Sequence, residues 1–212
     1  MPVLLAEQIV SIEFADLLTR TPIVLPARPP VRAEGAHQSD ILAHVAQKVG
    51  WLDPGERPEE DMPIIWCVGC AWEEWAASLY PDMEWQPGEL TADGISGNAD
   101  GLTADPLQIE EFKASYKSCG SLNPDTPPPP DYFLKEKKFQ MWQHQGRAYC
   151  YLYGPRVVRW HVLHIRSDYK TFGPTYKQYI VEFTDAEVEQ TWSMLVRFRD
   201  EAMAAREGVL TA

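Results

Sequence analysis

Apolar residues recur every three or four positions in four parts of the chain, which is the spacing of an amphipathic helix. The four segments are 39–49, 64–80, 132–153 and 184–206. In the first segment, Ser39 or Asp40 is placed to cap the helix, and in the last segment Thr184 takes that position. Each segment therefore predicts a helix.

Between the second and third helical segments the hydrophobic period shortens. Short apolar segments separated by turn residues predict an antiparallel β-meander, and two more strands follow the third helix. These strands are predicted at 83–90, 94–103, 107–115, 157–165 and 176–183. The order helix, strands, helix, strands, helix predicts an α/β fold with a central mixed sheet flanked by helices.

The first 36 residues fit neither period well. They contain a short helical pattern around 7–19 and then several prolines, so we interpret 1–36 as an N-terminal arm. A single domain is expected to occupy 37–212 and to include the C-terminal helix. Within it, 118–131 holds five prolines and predicts a loop or polyproline spacer.

The totals describe an ordinary globular chain of 212 residues, of which 45% are apolar and 24% charged. No apolar run approaches the roughly 18 residues that span a bilayer. The first 15 residues carry no basic residue and do not resemble a secretory signal. We therefore expect a cytoplasmic protein that does not interact with a membrane.

Four cysteines are too few for a disulfide scaffold of this length. Cys67 and Cys70 have metal-ligand spacing, and Cys119 and Cys150 would be needed to complete a four-thiolate site. The later two form no close pair, so buried and unreactive thiols are favoured over a thiolate-metal protein.

The net charge of −12 is unusual for a protein that binds nucleic acid, because Lys and Arg supply most of the affinity for phosphate. The segment 113–177, however, holds 11 basic residues and 4 acidic ones. This asymmetry predicts a local phosphate-binding surface. The alternative is a solvated surface whose charges are unevenly distributed by chance.

The candidate chemistry starts with Asp100 and the segment Glu111-Phe112-Lys113. Residues two apart on a strand share a face, so Glu111 and Lys113 project together. Asp100 lies on the preceding segment, near the end of the hairpin partner. Two carboxylates of this kind suit Mg²⁺ or Mn²⁺, which would activate a water against a phosphodiester, while Lys113 would stabilise the developing anion.

This spacing alone is weak, since acidic and basic residues alternate on many solvated hairpins. Two features add to it. Glu73 and Glu74 lie in an otherwise apolar helix, and an inward-facing carboxylate there needs a cation. On the third helix, Gln145 and Tyr149 share one face and are placed to reach a cleft.

Four motifs therefore stand in one order along the chain. They are Gly-x-x-x-Glu at Gly69 and Glu73, Asp-Gly-Leu at 100–102, Glu-x-Lys at Glu111 and Lys113, and Gln-x-x-x-Tyr at Gln145 and Tyr149. The set resembles the PD-(D/E)XK nuclease superfamily, in particular its RecB-like and YqaJ/lambda-exonuclease-like branch common in phages. The resemblance covers about residues 37–183 and implies a restriction-endonuclease-like core, and a phage-encoded protein would act in the host cytoplasm.

The resemblance also implies roles for single residues. It assigns metal binding to Glu73, Asp100, Glu111 and the backbone carbonyl of Phe112, catalysis to Lys113, and orientation of the substrate and the metal site to Gln145 and Tyr149. Two departures from the pattern stand out: Ala99 replaces a proline, and Glu73 stands where many RecB-like members have histidine. The choice between Glu73 and Glu74 stays open.

These observations predict a Mg²⁺-dependent deoxyribonuclease in which Mn²⁺ substitutes. We expect an exonuclease that acts on DNA ends in recombination or repair. Its expected partner is DNA, and further candidates are a single-strand annealing or other recombination protein and a second copy of the chain. The alternative is a non-catalytic DNA-binding or assembly module that retains the nuclease fold.

Overall fold

The computed structural model describes residues 2–10, 35–51, 62–104, 106–120, 131–170 and 174–210. The helices are α1 (Gln38–Val49), α2 (Met62–Ala77), α3 (Tyr132–Lys135), α4 (Gln140–Tyr153) and α5 (Asp185–Leu210). The strands are β1 (Val3–Val10), β2 (Ala36–His37), β3 (Met83–Trp85), β4 (Leu90–Ala92), β5 (Ile95–Gly97), β6 (Gly101–Ala104), β7 (Leu107–Ser115), β8 (Val157–His164) and β9 (Thr175–Glu182).

Six of these strands form one sheet in the order β1-β9-β8-β7-β6-β3. Strands β7 and β8 run parallel, and the other neighbours run antiparallel. Helix α4 lies between β7 and β8 in the chain and provides the crossover that a parallel pair requires. The predicted α/β fold class, a central mixed sheet flanked by helices, is confirmed. A smaller sheet joins β2, β5 and β4.

The central strands are buried on both faces, as expected where helices cover a sheet on each side. On one face, Ile109 and Trp160 pack with Tyr149 of α4 in a core cluster. On the other face, Phe112 packs with Trp72 of α2. Because neighbouring residues on a strand point in opposite directions, each residue of β7 is committed to one of these two environments.

Two helix starts test the capping predictions. For α1 the prediction was wrong by two or three residues, because His37 is the N-cap and its Nδ1 accepts the Ser39 N–H. For α5 the prediction is confirmed: the Glu187 N–H donates to the Thr184 hydroxyl, and the Glu187 carboxylate accepts the Thr184 N–H. This reciprocal pair is a capping box.

Two other predictions were wrong in detail. The helical pattern predicted around 7–19 is wrong at 7–10, because residues 3–10 form the edge strand β1, antiparallel to β9. Residues 11–34 lie outside the described residues. The division of the chain at residue 36 stays a prediction. The helix predicted over 132–153 is broken at Glu136, which is extended. Gln143 compensates for the break, since its side-chain amide donates to the Phe133 carbonyl that the break leaves without a helical partner.

No helix in the described part of the chain is both long enough and apolar enough to cross a bilayer. The cytoplasmic location stays an expectation.

Candidate active site

The candidate site lies where strand β6 begins and leaves part of β7 uncovered. The pairing of these strands starts at Gly101 opposite Glu110. Within the described residues, the following part of β7 therefore has no strand neighbour on the β6 side. Asp100, the residue just before β6, takes that place and brings its carboxylate to the open edge.

Asp100, Glu111 and Lys113 are brought together by direct contacts. The Phe112 N–H donates to Asp100 Oδ2 over 2.8 Å, and the Asp100 N–H approaches Glu111 Oε1 at 3.4 Å. Lys113 Nζ donates to Glu111 Oε2 over 2.6 Å and lies 3.8 Å from Asp100 Oδ2. These hydrogen bonds hold two carboxylates and one ammonium around a single point.

The backbone of Phe112 faces the same point. In an extended strand the N–H and C=O of one residue point to the same edge. Since the Phe112 N–H is directed at Asp100, its carbonyl oxygen also lies on the open edge of β7. The oxygen predicted as a ligand is therefore on the correct side of the strand.

Gly101 allows the Met83 side chain of β3 to lie against the start of β6. A Cβ atom at Gly101 would lie 2.3 Å from the sulfur of Met83, which is far inside van der Waals contact. Gly101 is the first residue of β6. Its lack of a side chain lets β3 pack against the start of β6.

Helix α2 brings Glu73 toward the site. Glu73 is half-buried and lies close enough to Asp100 for the two charges to interact, whereas Glu74 is exposed. Burial raises the pKa of Glu73, and the Asp100 charge raises it further. Geometry thus favours Glu73 over Glu74 as the third carboxylate of the site.

The charges in the site are not balanced within the protein. Burial, followed by the charge of Asp100, also raises the pKa of Glu111, which is fully buried. Burial alone would lower the pKa of Lys113, but the charges of Glu111 and Asp100 outweigh it and raise that pKa. The site thus holds three carboxylates and a single ammonium, which keeps its proton.

This imbalance is the basis for testing a metal at the site. An excess of carboxylate oxygens suits a hard divalent cation such as Mg²⁺. Among the described residues, however, no three His, Cys, Asp or Glu side chains already stand in a metal-ligating arrangement. In this structure the Lys113 ammonium engages the Glu111 oxygen that a cation would need. The donor set therefore fits the metal in type and charge, while ligation requires Lys113 to release Glu111.

Gln145 and Tyr149 lie on α4, which covers the Glu111 side of the sheet. The Gln145 side chain donates to the Tyr149 hydroxyl over 3.1 Å. Burial raises the pKa of Tyr149, and the charges of Glu111 and Asp100 add to that rise, so the hydroxyl lies near both carboxylates and stays protonated.

Sequence reasoning missed Gln38, the first residue of α1. Its amide is fully buried and lies beside the Tyr149 hydroxyl, without a hydrogen bond of good geometry. Nothing in the local sequence distinguishes Gln38 from an ordinary residue at the start of a helix.

The basic residues of 113–177 do not form one exposed surface. Arg147 and Lys177 are buried, and Lys177 donates to Glu7 over 2.5 Å. Arg156 and Lys135 form ion pairs with aspartates. Part of the positive charge counted along the sequence is therefore buried or paired, and the phosphate-binding surface stays a prediction.

The cysteines give no support to a thiolate-metal site. Cys119 and Cys150 are buried, and burial raises the pKa of both, that of Cys150 to about 12. Neutral thiols are poor metal ligands. The side chain of Cys67 lies outside the described residues.

Several solved structures are similar to this chain. The crystal structure of SSO0001 has a TM-score of 0.44 and 12% identity, covering 79% of this chain and 78% of that one. A phage-related exonuclease from Haemophilus somnus 129PT has a TM-score of 0.44 and 9% identity, covering 82% and 83%. LHK-Exo in complex with dAMP has a TM-score of 0.39 and 12% identity, covering 84% and 95%.

No family profile and no curated protein matches the sequence. All three structural likenesses have TM-scores below 0.5, so they assign no activity to this chain.

Proposed function

We propose that this protein is a Mg²⁺-dependent deoxyribonuclease, an exonuclease that hydrolyses phosphodiester bonds at DNA ends in recombination or repair. The observation that supports it is the convergence of Asp100, Glu111 and Lys113 at the open edge of β7. A buried group with this excess of negative charge is costly unless a cation binds there. Such clusters of charged residues are typical of functional sites.

In the proposed reaction, Glu73, Asp100, Glu111 and the Phe112 carbonyl hold the metal. A bound Mg²⁺ supplies charge neutralisation at the phosphodiester and a more acidic attacking water. Lys113 contributes a full positive charge, because its raised pKa keeps it protonated at neutral pH. Once released from Glu111, its ammonium stabilises the negative charge that develops on the phosphoryl oxygens and orients the attacking water.

Gln145 and Tyr149 have a supporting role in the proposal. The Tyr149 hydroxyl is held by Gln145 and stays protonated, so it can donate a hydrogen bond toward the carboxylates or the substrate. This arrangement limits the movement of the site on its α4 side.

The direct test is the digestion of linear and circular duplex DNA with Mg²⁺ or Mn²⁺ by wild type, Lys113→Ala and Lys135→Ala. Lys135 is an exposed lysine that pairs with Asp131 and has no described ion pair with the site residues, so it serves as the matched control. The proposal expects wild type and Lys135→Ala to digest linear DNA alone, and Lys113→Ala to lose roughly 10²–10³-fold in rate.

Two outcomes contradict the proposal in different ways. Digestion of circular DNA at the same rate would refute the preference for ends but keep the nuclease. Intact DNA in every reaction, together with no Mn²⁺ binding that depends on Asp100 and Glu111 in calorimetry, would favour a non-catalytic DNA-binding module.

A further inference from the structure

The opposite face of β7 carries a second buried polar group. Glu110 is fully buried and accepts hydrogen bonds from His161 Nε2 at 2.7 Å, Gln108 Nε2 at 2.8 Å and Thr103 Oγ1 at 3.1 Å. Arg159 Nη1 lies 3.7 Å away. None of these groups belongs to the proposed active site.

Hydrogen bonds continue from His161 to two tyrosine hydroxyls, and the donors all point the same way along the chain. If His161 Nε2 donates to Glu110, its Nδ1 must accept, and the Tyr176 hydroxyl lies 2.6 Å from it. The Tyr80 hydroxyl lies 2.7 Å from that of Tyr176, and the Gln178 amide donates to both hydroxyls. Each hydroxyl then donates once, so the chain runs from Tyr80 through Tyr176 and His161 to Glu110.

This chain joins α2 to β7. Tyr80 lies three residues beyond the end of α2. Within α2, the Trp72 indole N–H donates to the His161 carbonyl over 3.1 Å, and its ring packs edge-on against Tyr176 at 5.0 Å. Helix α2 is therefore attached to the same two residues at two points, one inside the helix and one just after it.

Two residues at these contacts are neighbours of active-site residues in the sequence. Glu110, one end of the chain, precedes Glu111, and Trp72, which contacts His161 and Tyr176, precedes Glu73. Helix α2 holds Glu73 against Asp100 from one side of the sheet, so any shift of α2 relative to β7 changes the spacing of the three carboxylates.

We infer that the hydrogen-bonded chain Tyr80–Tyr176–His161–Glu110 is a positioning device that fixes the distance between Glu73 and the Asp100–Glu111 pair. The inference rests on the proposed function for its consequence, which is metal affinity. The residues of the chain are positioning residues, because they act through Glu73 and Glu111.

The test compares Tyr176→Phe with Tyr179→Phe in the full-length protein. Both tyrosines lie on β9 and are buried, and each hydroxyl contacts a buried histidine: Tyr176 contacts His161 and Tyr179 contacts His164, at 3.3 Å. Both variants lose buried hydrogen bonds, and Tyr176→Phe loses more of them, so metal affinity and not thermal stability is the deciding measurement. In the described contacts, only Tyr176 is connected to α2.

We expect Tyr176→Phe to bind Mn²⁺ roughly tenfold more weakly in calorimetry, as for other residues that orient ligands. Its kcat should fall while its KM for DNA stays constant. Tyr179→Phe should keep its Mn²⁺ affinity and its kcat within about twofold of wild type, which is the ordinary scale of a change remote from a site. Equal Mn²⁺ affinity in the two variants overturns the inference.

Crystal structures of wild type and Tyr176→Phe, both without metal, keep the inference testable if the proposed function fails. We expect the Glu73 carboxylate in Tyr176→Phe to move by about 1 Å relative to Asp100, a displacement large enough to disturb a site. An unchanged position overturns the positioning role. Wild type that neither binds Mn²⁺ nor cleaves DNA refutes the proposed function alone.

Discussion

Glu110 and Glu111 are neighbours on one strand, and both are 0% exposed, yet their surroundings differ completely. Glu110 accepts three hydrogen bonds and has Arg159 nearby. Glu111 shares the single ammonium of Lys113 with two other carboxylates. Burial is therefore the same for the two residues. What distinguishes the candidate active-site residue here is that its one counter-charge, Lys113, is shared with two other carboxylates.

The largest expected effect is that of Glu111→Gln. This change removes a carboxylate from the site, so DNA cleavage should fall roughly 10³-fold and Mn²⁺ binding should be lost. The unfolding free energy of the metal-free variant should stay close to that of wild type, because Gln keeps the size of the side chain and removes only one of the three carboxylates that share the Lys113 ammonium. Calorimetry with Mn²⁺ and urea unfolding measure the two quantities. A variant that unfolds more easily would erase the contrast with Glu110.

The reciprocal change is Glu110→Ala. It leaves a cavity and removes the carboxylate that His161, Gln108 and Arg159 face. The unfolding free energy should therefore fall by about 3–5 kcal/mol. Urea unfolding in the absence of metal checks this value. A loss below about 1 kcal/mol would mean that Glu110 is no better compensated than Glu111.

A third expectation concerns pH. The pKa of Glu111 is raised from 4.5 to about 8, and so is that of Glu73. Between these values the folded state keeps protons that the unfolded state has lost, so the stability present below pH 4.5 is lost as pH rises toward 8. Each retained proton contributes about 1.4 kcal/mol per pH unit to this slope in the metal-free protein.

Unfolding at several pH values measures this slope. Glu111→Gln should flatten it, and saturating Mn²⁺ should do the same, whereas Glu74→Gln should keep it. An unfolding free energy that rises with pH over this range would contradict an excess of carboxylates in the site.

The smallest effect separates Glu73 from Glu74. Glu73→Gln should weaken Mn²⁺ binding roughly tenfold or more, because it removes an oxygen ligand. Glu74→Gln should stay within about twofold, since exposed charges contribute little. Calorimetry on both variants decides between them, and a stronger effect of Glu74 would mean that α2 is rotated relative to its position in this structure.

The parts of the site that could be predicted are local. The two-residue period of a strand is enough to place Glu111 and Lys113 on one face, and helical spacing is enough to pair Gln145 with Tyr149. These relations need only the geometry of a single element. The same geometry predicted most of the helices and strands.

The parts that could not be predicted depend on contacts between distant residues. Glu110 meets His161, which is 51 residues away, and no local pattern indicates which strand lies beside it. The same holds for Gln38 beside Tyr149, and for β1, whose partner β9 lies at the other end of the domain. A strand that pairs only with a remote segment has no short-range signal that distinguishes it from an arm.

The pairing of β1 with β9 also has a consequence for how the chain folds during synthesis. Glu7 and Lys177, which are partners across this pair, are 170 residues apart. At about 5–20 residues per second, β1 leaves the ribosome roughly 10–30 s before β9 exists. During that time the edge strand, with its apolar Val3 and Leu5, has no native partner, and the pairing of β1 can form only after β9 has been synthesised. Such high contact order makes the closing of this edge a slow step and the N-terminal strand the segment most exposed to aggregation before it.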